Sequence, residues 1–328
     1  MKFGPLELKN RYMLAPMLNI TTAPYRRFCR NLQDIGLVSV PMLYTKRIEK
    51  NPKSVEHKLY KIEEERPISV QLIGSDSLAI KKSIDFLESY KFDVLDMNAG
   101  CPSRRALRSQ EGGYLMKDLK KLRELLKVMV NNSSKPVSLK IRTGYDKPVN
   151  VDEFSKIVNE SGIDFLIIHA RTVRNRYSSN TLDLTTVKKL KERLTIPVVG
   201  NGDITDSASA KNFIEYTNVD AFMIGRESMG NPEIFKQIHY YLTKNEYVPL
   251  EASKSLIKQY IDLYERKINE FLDGISYPNG NEDFKFVELK RNSIWLTKYI
   301  HNSSAFRIKL SKTKNFKHLK SIMKEIFD

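Results

Sequence analysis

Cysteine is scarce in this chain of 328 residues, which contains only Cys29 and Cys101. There is no Cys-x-x-Cys pair, so a disulfide scaffold and a thiolate zinc site are excluded. The segment from Met1 to Met17 also lacks the uninterrupted apolar core of a signal peptide. We therefore expect a reduced protein that resides in the cytoplasm.

Long hydrophobic runs are missing as well. No segment approaches the ~18 consecutive apolar residues of a membrane-spanning helix, and the mean hydropathy is −0.43. An integral membrane protein is therefore excluded, and no membrane partner is expected. The five histidines form neither a His-Glu-x-x-His motif nor a closely spaced pair, so we predict no metal site.

Acidic residues are outnumbered, with 39 Asp and Glu against 55 Lys and Arg and a formal net charge of +16. Such an excess favours a polyanionic partner. Eleven Lys or Arg and a single acid, Glu288, lie between Lys285 and Lys324. This concentration favours nucleic-acid binding over a merely solvated helical face. The interleaved Trp295, Tyr299 and Phe306 either stack on bases or pack in a helical core.

The dominant pattern is an alternation of short apolar, β-branched runs with helical stretches, which is typical of a parallel sheet. The strand candidates are Tyr12–Met17, Leu37–Leu43, Ile68–Ile73, Val94–Asn98, Val137–Ile141, Phe165–His169, Val198–Asn201 and Ala221–Ile224. Eight such units predict an α/β fold, namely a (β/α)8 TIM barrel that occupies residues 1–243.

Stretches with helical periodicity follow these strands. The candidates are Ser77–Tyr90, Leu119–Val130, Glu153–Ser161, Thr186–Leu194, Ala208–Tyr216 and Glu233–Leu242. Asp76, Asp118, Asp206 and the pair Asn231-Pro232 stand where caps or a first-turn proline are expected. After the barrel come three amphipathic helices, Ser253–Phe271, Glu282–His301 and Ala305–Phe327. They predict a separate all-helical domain over residues 244–328.

The active site of a parallel barrel lies at the C-terminal ends of its strands, and these ends are unusually polar here. Glycine-containing segments, Gly200 to Asp203 and Gly225-Arg226, follow the seventh and eighth strands. Glycines let backbone amides approach an anion closely. The two segments therefore predict a site for a phosphate-bearing cofactor rather than purely structural turns.

Two further side chains at these ends suggest chemistry. Lys140 could stabilise negative charge on a bound ring, as on N1 and O2 of a reduced flavin, which indicates flavin mononucleotide. The alternative is a structural ion pair between Lys140 and Asp93 or Asp96. Cys101, in a Gly-Cys-Pro turn after the fourth strand, could act as a general acid or as a nucleophile. Cys29 has no such surroundings and is interpreted as a packing residue.

Seven segments, taken together and in order, resemble those of the tRNA-dihydrouridine synthases. They are Ala15-Pro16-Met17, Val70 to Ser75, Asp96 to Pro102, Lys140-Ile141-Arg142, His169 to Thr172, Gly200 to Ile204 and Gly225-Arg226. The basic helical tail is similar to the tRNA-binding domain of that family. The resemblance runs from about Leu14 to Pro232.

The resemblance implies an FMN-dependent enzyme in which reduced FMN passes a hydride to C6 of a uracil in tRNA while Cys101 protonates C5. NADPH, with NADH as the alternative, would re-reduce the flavin, and the enzyme is expected to be a monomer. Carried over by position, the FMN-binding residues would be Pro16, Met17, Gln71, Lys140, His169, Asn201, Gly202, Asp203, Gly225 and Arg226. The substrate contacts would be Asn98, Arg142 and Tyr177.

The chain departs from the family pattern in two places near the substrate. Arg104 and Arg105 follow Cys101-Pro102-Ser103 where the family has a lysine, and Tyr177 begins a stretch without the family's glycine and tryptophan. Two rival functions stay open on the sequence. One is an FMN barrel reductase of a free pyrimidine, similar to dihydroorotate dehydrogenase, and the other is a tRNA-binding protein without catalysis.

Overall fold

The computed structural model describes residues 1–327. A short antiparallel hairpin of β1 (Lys2–Phe3) and β2 (Leu6–Glu7) comes first. Eight parallel strands follow, hydrogen-bonded in the order β3-β10-β9-β8-β7-β6-β5-β4. They are β3 (Tyr12–Leu14), β4 (Val38–Tyr44), β5 (Ile68–Ile73), β6 (Val94–Ala99), β7 (Val137–Arg142), β8 (Phe165–His169), β9 (Val198–Asn201) and β10 (Ala221–Ile224).

The two end strands of this sheet also meet, so that the sheet closes. Met13 forms a parallel bridge with Leu37, and the Leu14 amide donates to the Leu37 carbonyl over 2.9 Å. The predicted TIM barrel is thereby confirmed. The first strand ends three residues earlier than expected, since Pro16 has no amide hydrogen to donate and the Met17 amide turns to Thr21 Oγ1 at 3.0 Å.

Within residues 1–327, fourteen α-helices accompany the strands. They are α1 (Ala23–Leu32), α2 (Thr45–Lys50), α3 (Lys53–Leu59), α4 (Ser77–Leu87), α5 (Arg104–Arg108), α6 (Leu119–Asn132), α7 (Val151–Asn159), α8 (Leu184–Arg193), α9 (Ser207–Thr217), α10 (Ile234–Lys244), α11 (Lys254–Leu272), α12 (Asn281–Leu296), α13 (Ser303–Ser311) and α14 (Phe316–Phe327). No helix within residues 1–327 combines the length and apolar character needed to cross a membrane.

Three of the predicted helix caps are confirmed. The carboxylates of Asp76, Asp118 and Asp206 accept hydrogen bonds of 2.7 to 2.8 Å from backbone amides in the first turns of α4, α6 and α9. The fourth predicted start, at Asn231-Pro232, differs from the structure, because α10 begins only at Ile234. Asn231 Oδ1 accepts a hydrogen bond from the Glu233 amide at 3.2 Å, before the helix begins.

The chain divides into two compact units. The barrel unit comprises residues 1–21 and 35–224, and the helical unit comprises residues 22–34 and 225 onward. The sequence analysis placed the boundary after residue 243. The structural division instead assigns α1 and α10 to the helical unit.

The hairpin was absent from the sequence prediction. Its Phe3 side chain is fully buried in the core cluster that contains Met13 and Phe165, and the two phenyl rings meet edge to face with centroids 5.2 Å apart. The N-terminal residues therefore pack inside the barrel unit.

Within the helical unit, Glu288 of α12 is buried and joins three elements. It accepts hydrogen bonds from Thr22 Oγ1 at 2.8 Å, from the Tyr264 hydroxyl and from the Arg291 guanidinium. Tyr25 of α1 contacts Trp295 edge to face at 6.4 Å. These contacts explain why α1 belongs to this unit although it follows the first barrel strand in sequence.

The prediction of one helix over Ala305–Phe327 is wrong, because α13 and α14 are separate. Between them the buried Thr313 donates from its hydroxyl to the Leu310 carbonyl, and its own carbonyl accepts from Lys290 Nζ at 2.7 Å. Asn315 Oδ1 then accepts from the His318 amide at 2.8 Å and caps α14. These bonds replace the helical ones at the break.

Candidate active site

The strand register brings the polar residues at the strand ends side by side. Lys140 is paired with Asn98 across β6 and β7, and His169 is paired with Arg142 on one side and with Asn201 on the other. Because all eight strands are parallel, their C-terminal ends share one rim of the barrel. Side chains that are 27 to 42 positions apart in sequence thus become neighbours.

The half-buried Lys140 and the buried His169 and Asn201 form one cluster at this rim. Lys140 Nζ donates to Asn201 Oδ1 at 3.0 Å, and His169 Nδ1 also lies 3.0 Å from that oxygen. Asn201 Nδ2 donates to the Met223 carbonyl at 2.7 Å, which fixes the amide with its oxygen toward the two bases. His169 Nδ1 must therefore carry the proton.

The electrostatics of the cluster follow from its burial. Burial lowers the pKa of Lys140 to about 8, with Asp96 opposing and Arg142 adding to the effect. Burial, reinforced by Arg142 and Lys140, holds the pKa of His169 well below its ordinary value, so the imidazole is neutral. Its second nitrogen, Nε2, is buried and has no hydrogen-bond partner among residues 1–327. This unpaired acceptor fits a ligand that donates a hydrogen bond.

The alternative ion pair of Lys140 with Asp93 does not form. Asp93 instead accepts from the Arg66 guanidinium and from the Ile68 amide. Asp96 does interact electrostatically with Lys140, but its two oxygens accept from Gln71 Nε2 and Ser138 Oγ, each at 2.6 Å. The ammonium group is consequently held by Asn201 and left charged next to the rim.

Cys101 is half-buried at the start of the loop after β6. Its amide donates to Asn98 Oδ1 at 2.9 Å, and its Sγ donates to Ser103 Oγ at 3.4 Å. Cys29 lies in the other unit, where burial raises the pKa of its thiol to about 12. The structure thus separates an accessible thiol from an inert one, as the sequence interpretation held.

Two glycines that the sequence analysis overlooked pack against Cys101. A side chain at Gly112 would come within 2.9 Å of the Cys101 Cβ, and one at Gly113 within 2.9 Å of the Cys101 carbonyl oxygen. The Gly113 amide donates to that same oxygen at 3.0 Å. The pair allows this close approach, which positions the cysteine loop.

Arg142 and Tyr177 are in contact at the rim. The Arg142 guanidinium donates to the carbonyl oxygens of Gly100, Thr172 and Arg176 over 2.6 to 3.1 Å. Its central carbon lies 5.1 Å from the centroid of the Tyr177 ring, which is 53% exposed. Arg142 is thereby fixed by backbone acceptors, whereas Tyr177 presents an open aromatic face.

The turn after β9 has an unusual backbone. Gly202 and Asp203 have φ values of +124° and +46°. The Asp203 carboxylate pairs with Arg171, a buried residue whose Nε donates to the Ser178 carbonyl at 3.0 Å. The charge of the Asp203 carboxylate is thereby compensated within the protein.

Four of the residues predicted to bind FMN, Pro16, Met17, Gly225 and Arg226, lie after the first and the last strand of the barrel. Pro16 and Met17 are half-buried in the turn that follows β3. Gly225 and Arg226 follow β10 directly and fall within the helical unit, where the Gly225 carbonyl accepts from Ser228 Oγ at 2.7 Å and Arg226 is exposed. Among residues 1–327, no group of three or more His, Cys, Asp or Glu side chains is arranged to hold a metal ion.

Sequence reasoning named Asp96, Ser103 and Arg171 but missed their roles as hydrogen-bond or ion-pair partners, and it missed Gly112, Gly113 and Ser138 altogether. Asp96 lies in the same segment as Asn98 and Cys101, and a charged residue within a buried strand was the available signal.

Comparison with known proteins gives consistent results. The model of the family "Dihydrouridine synthase (Dus)" matches residues 13–327. The tRNA-dihydrouridine synthase B of Pasteurella multocida is 36% identical over 77% of this chain and 76% of its own length. That of Shewanella oneidensis is 31% identical over 91% of this chain and 98% of its own.

Solved structures share the fold at low sequence identity. A morphinone reductase mutant in complex with tetrahydroNAD superimposes with a TM-score of 0.56 at 12% identity, over 78% of this chain and 92% of the other. A 2-naphthoyl-CoA reductase gives the same TM-score and identity over 73% of this chain and 51% of the other.

Proposed function

The chain belongs to the dihydrouridine synthase family, and from this membership we propose that it is an oxidoreductase that reduces uridines of tRNA to dihydrouridine. The observation that carries the proposal is the cluster of Lys140, His169 and Asn201 at the barrel rim, together with the half-buried thiol of Cys101 in the loop after β6. Reduction of a pyrimidine ring needs positive charge beside the ring and a positioned acid, and the Lys140 ammonium and the Cys101 thiol are groups of these two kinds.

The residues at the rim suit a flavin. His169 Nε2 is an acceptor that lacks a partner, which fits a ring N–H, and Lys140 supplies a positive charge where a reduced ring becomes electron-rich. The positive φ of Gly202 and Asp203 turns the backbone after β9, where barrels commonly hold phosphate. We therefore propose FMN as the cofactor. Its ligands would be Pro16, Met17, Gln71, Lys140, His169, Asn201, Gly202, Asp203, Gly225 and Arg226.

The chemistry assigns a clear part to each side chain. Reduced FMN, when bound, would supply the hydride that is added to C6 of the uracil. Cys101 donates its thiol proton to C5, so that the C5–C6 double bond becomes a single bond and a thiolate remains. Ser103 Oγ, 3.4 Å from Sγ, orients the thiol and takes no proton itself.

The substrate base has to leave the tRNA stack to reach this rim. Asn98, Arg142 and Tyr177 are the proposed contacts for the flipped uracil and its backbone. The exposed Tyr177 ring offers a stacking surface, and the neighbouring Arg104, Arg105 and Arg108 offer charge to phosphates. The helical residues 244–328 are proposed as the main tRNA-binding part, NADPH as the reductant and the cytoplasm as the location of a monomeric enzyme.

An absorbance experiment tests this proposal. We expect the purified protein to show flavin bands that bleach on anaerobic addition of NADPH and return only when tRNA lacking dihydrouridine is added. Return with free uracil or orotate would indicate a small-molecule reductase. Absence of a flavin spectrum, even after incubation with FMN, would indicate a tRNA-binding protein without catalysis. Either result would overturn the proposal.

A further inference from the structure

A carboxylate lies inside the barrel sheet, where charged groups are rare. Asp96 is 2% exposed and sits on β6 between Gln71 of β5 and Ser138 of β7, each of which is its direct partner in the strand register. Its Oδ2 accepts from Gln71 Nε2 and its Oδ1 from Ser138 Oγ, both at 2.6 Å. The carboxylate is therefore satisfied from both sides.

From Asp96, hydrogen bonds run in one direction to the cysteine loop. Gln71 donates to Asp96 and accepts with its Oε1 from Asn98 Nδ2 at 2.8 Å. Asn98 in turn accepts with its Oδ1 from the amides of Gly100 at 3.1 Å and Cys101 at 2.9 Å. Each amide side chain donates toward the carboxylate and accepts from the next group along.

Both ends of this path enforce its direction, because the Asp96 carboxylate can only accept and the backbone amides of Gly100 and Cys101 can only donate. A glutamine or asparagine amide can be rotated by 180° with almost no change in shape, which exchanges its donor and its acceptor. An ionised carboxylate has no proton to donate, so Gln71 must turn its NH2 toward Asp96, and Asn98 must then turn its NH2 toward Gln71. The Asn98 oxygen is left facing the amides of Gly100 and Cys101.

Asp96 is suited to remain ionised. Burial raises its pKa to about 6, while the hydrogen bonds from Ser138 and Gln71 and the charge of Lys140 act in the opposite direction. At neutral pH the group is thus an acceptor on both oxygens.

We propose that Asp96 is a positioning residue of the active site: its carboxylate sets the amide orientations of Gln71 and Asn98 and thereby holds the Cys101 loop in place. The proposal rests on the proposed function for its catalytic consequence, although the positioning itself does not depend on it. Asp96 touches neither substrate nor reacting atoms. It acts through Gln71, a proposed flavin ligand, and Asn98, a proposed substrate contact.

The test compares Asp96→Asn with Ser138→Ala. Asparagine is nearly isosteric, but it can donate to Gln71 Oε1 and so permits both amides to turn. Ser138→Ala removes a donor from the other oxygen of the same carboxylate and leaves the Gln71 to Cys101 path intact. Two quantities are measured on the full chain: the rate of Cys101 alkylation by iodoacetamide, mapped by mass spectrometry, and dihydrouridine formation in tRNA.

We expect Asp96→Asn to increase the alkylation rate of Cys101 severalfold, because the loop loses an anchor. It should lower kcat by roughly 10- to 100-fold with little change in KM for tRNA, since small misplacements of reacting groups cost this much. Loss of the Ser138 hydrogen bond raises the pKa of Asp96, so the variants are compared at a pH at which this carboxyl group is ionised. Ser138→Ala should then stay within about twofold of the parent in both measurements. The double variant Asp96→Asn/Gln71→Glu restores an acceptor for Asn98 and should return the alkylation rate toward that of the parent protein.

If Asp96→Asn does not fold, Gln71→Met interrupts the same path at its middle and should show the same gain in alkylation rate. The idea is overturned if Asp96→Asn, or Gln71→Met in its place, leaves the alkylation rate at the parental value, or if Ser138→Ala changes it equally. Alkylation requires neither flavin nor tRNA. A parent protein that forms no dihydrouridine would therefore refute the proposed function and leave the alkylation comparison valid.

Discussion

At the scale of single residues, the two cysteines differ because of their surroundings rather than their local sequence. Cys101 has a hydroxyl partner and partial access to solvent, and it lies one hydrogen bond from Asn98. Cys29 is fully buried beside Tyr25, and burial raises the pKa of its thiol to about 12. Cys101 is thus the cysteine whose thiol solvent or a ligand can reach.

Cys101→Ala is expected to retain flavin and tRNA binding while dihydrouridine formation falls by about 10²- to 10⁴-fold, the usual contribution of a general acid. Dihydrouridine is counted in tRNA by mass spectrometry after single-turnover reaction. Cys29→Ala serves as the matched control and should keep its activity. A Cys101→Ala protein as active as the parent would remove the cysteine from the mechanism.

Lys140 gives a prediction about pH. Its pKa of about 8 in the unliganded protein means that the ammonium is charged at pH 7 and mostly neutral at pH 9. If the charge attracts the flavin, the affinity should fall by up to about tenfold between these two values. Fluorescence titration of the flavin-free protein measures this change. The variant Lys140→Met should bind the flavin more weakly at pH 7, and its affinity should no longer change with pH. If the affinity changed with pH equally in both proteins, the role of the Lys140 charge would be refuted.

At the scale of elements, α1 shows how tertiary contacts override sequence order. It follows the first barrel strand directly, yet its residues pack with α11 and α12. The buried carboxylate of Glu288 is the polar part of that junction, because it accepts from Thr22, Tyr264 and Arg291 together. The single acid in the basic segment therefore has a structural role.

Glu288→Gln should lower the free energy of unfolding by about 1–3 kcal/mol, since it weakens hydrogen bonds that involve a charged acceptor and leaves Arg291 without its carboxylate. Chemical denaturation of the full chain, followed by circular dichroism, measures the loss. Glu282→Gln alters an exposed acid in the first turn of the same helix and should change stability by no more than about 0.5 kcal/mol. If Glu288→Gln were as stable as Glu282→Gln, the hydrogen bonds of Glu288 would not stabilise the packing of α1 against α11 and α12.

At the scale of the whole molecule, charge is distributed unevenly. The basic excess is concentrated between residues 285 and 324, which form parts of α12 and α14 and all of α13. Lys314 and Lys317 are exposed there. A polyanion that binds this segment releases counterions, so its affinity should depend steeply on salt.

The logarithm of the association constant for tRNA should fall linearly with the logarithm of the salt concentration. Replacing both Lys314 and Lys317 by Gln should make the slope shallower by about 1–2 units, because each lost phosphate contact removes nearly one. Filter binding from 50 to 300 mM KCl, about the range in which such slopes are resolved, provides the measurement. Gln at the exposed Lys81 and Lys120 of the barrel unit removes the same charge elsewhere and should leave the slope unchanged. Identical slopes for the two pairs would show that the tail is not the docking surface.

Much of this molecule follows from the sequence alone. Strands buried on both faces appear as short apolar runs, so all eight were found. Four of them match the prediction at both termini, namely Ile68–Ile73, Phe165–His169, Val198–Asn201 and Ala221–Ile224, and three more lie within one residue of it at each terminus. The first strand alone ends three residues earlier than predicted. The strand ends in turn located the rim residues Lys140, His169 and Asn201, because parallel strands share one edge. Local caps such as Asp76 were equally legible.

The tertiary structure alone decided what those residues touch. Asn201 contacts Lys140 and His169, Asp96 lies between Gln71 and Ser138, and Thr22 donates to Glu288. These hydrogen bonds join residues that are 25 to 266 positions apart in sequence. The periodicity of apolar residues predicts which face of a helix or strand is buried. It does not predict the strand register, which determines the residue that each side chain contacts on a neighbouring element. The sequence therefore determined the barrel and its reactive rim, whereas only the folded chain fixed the direction of the hydrogen bonds within it.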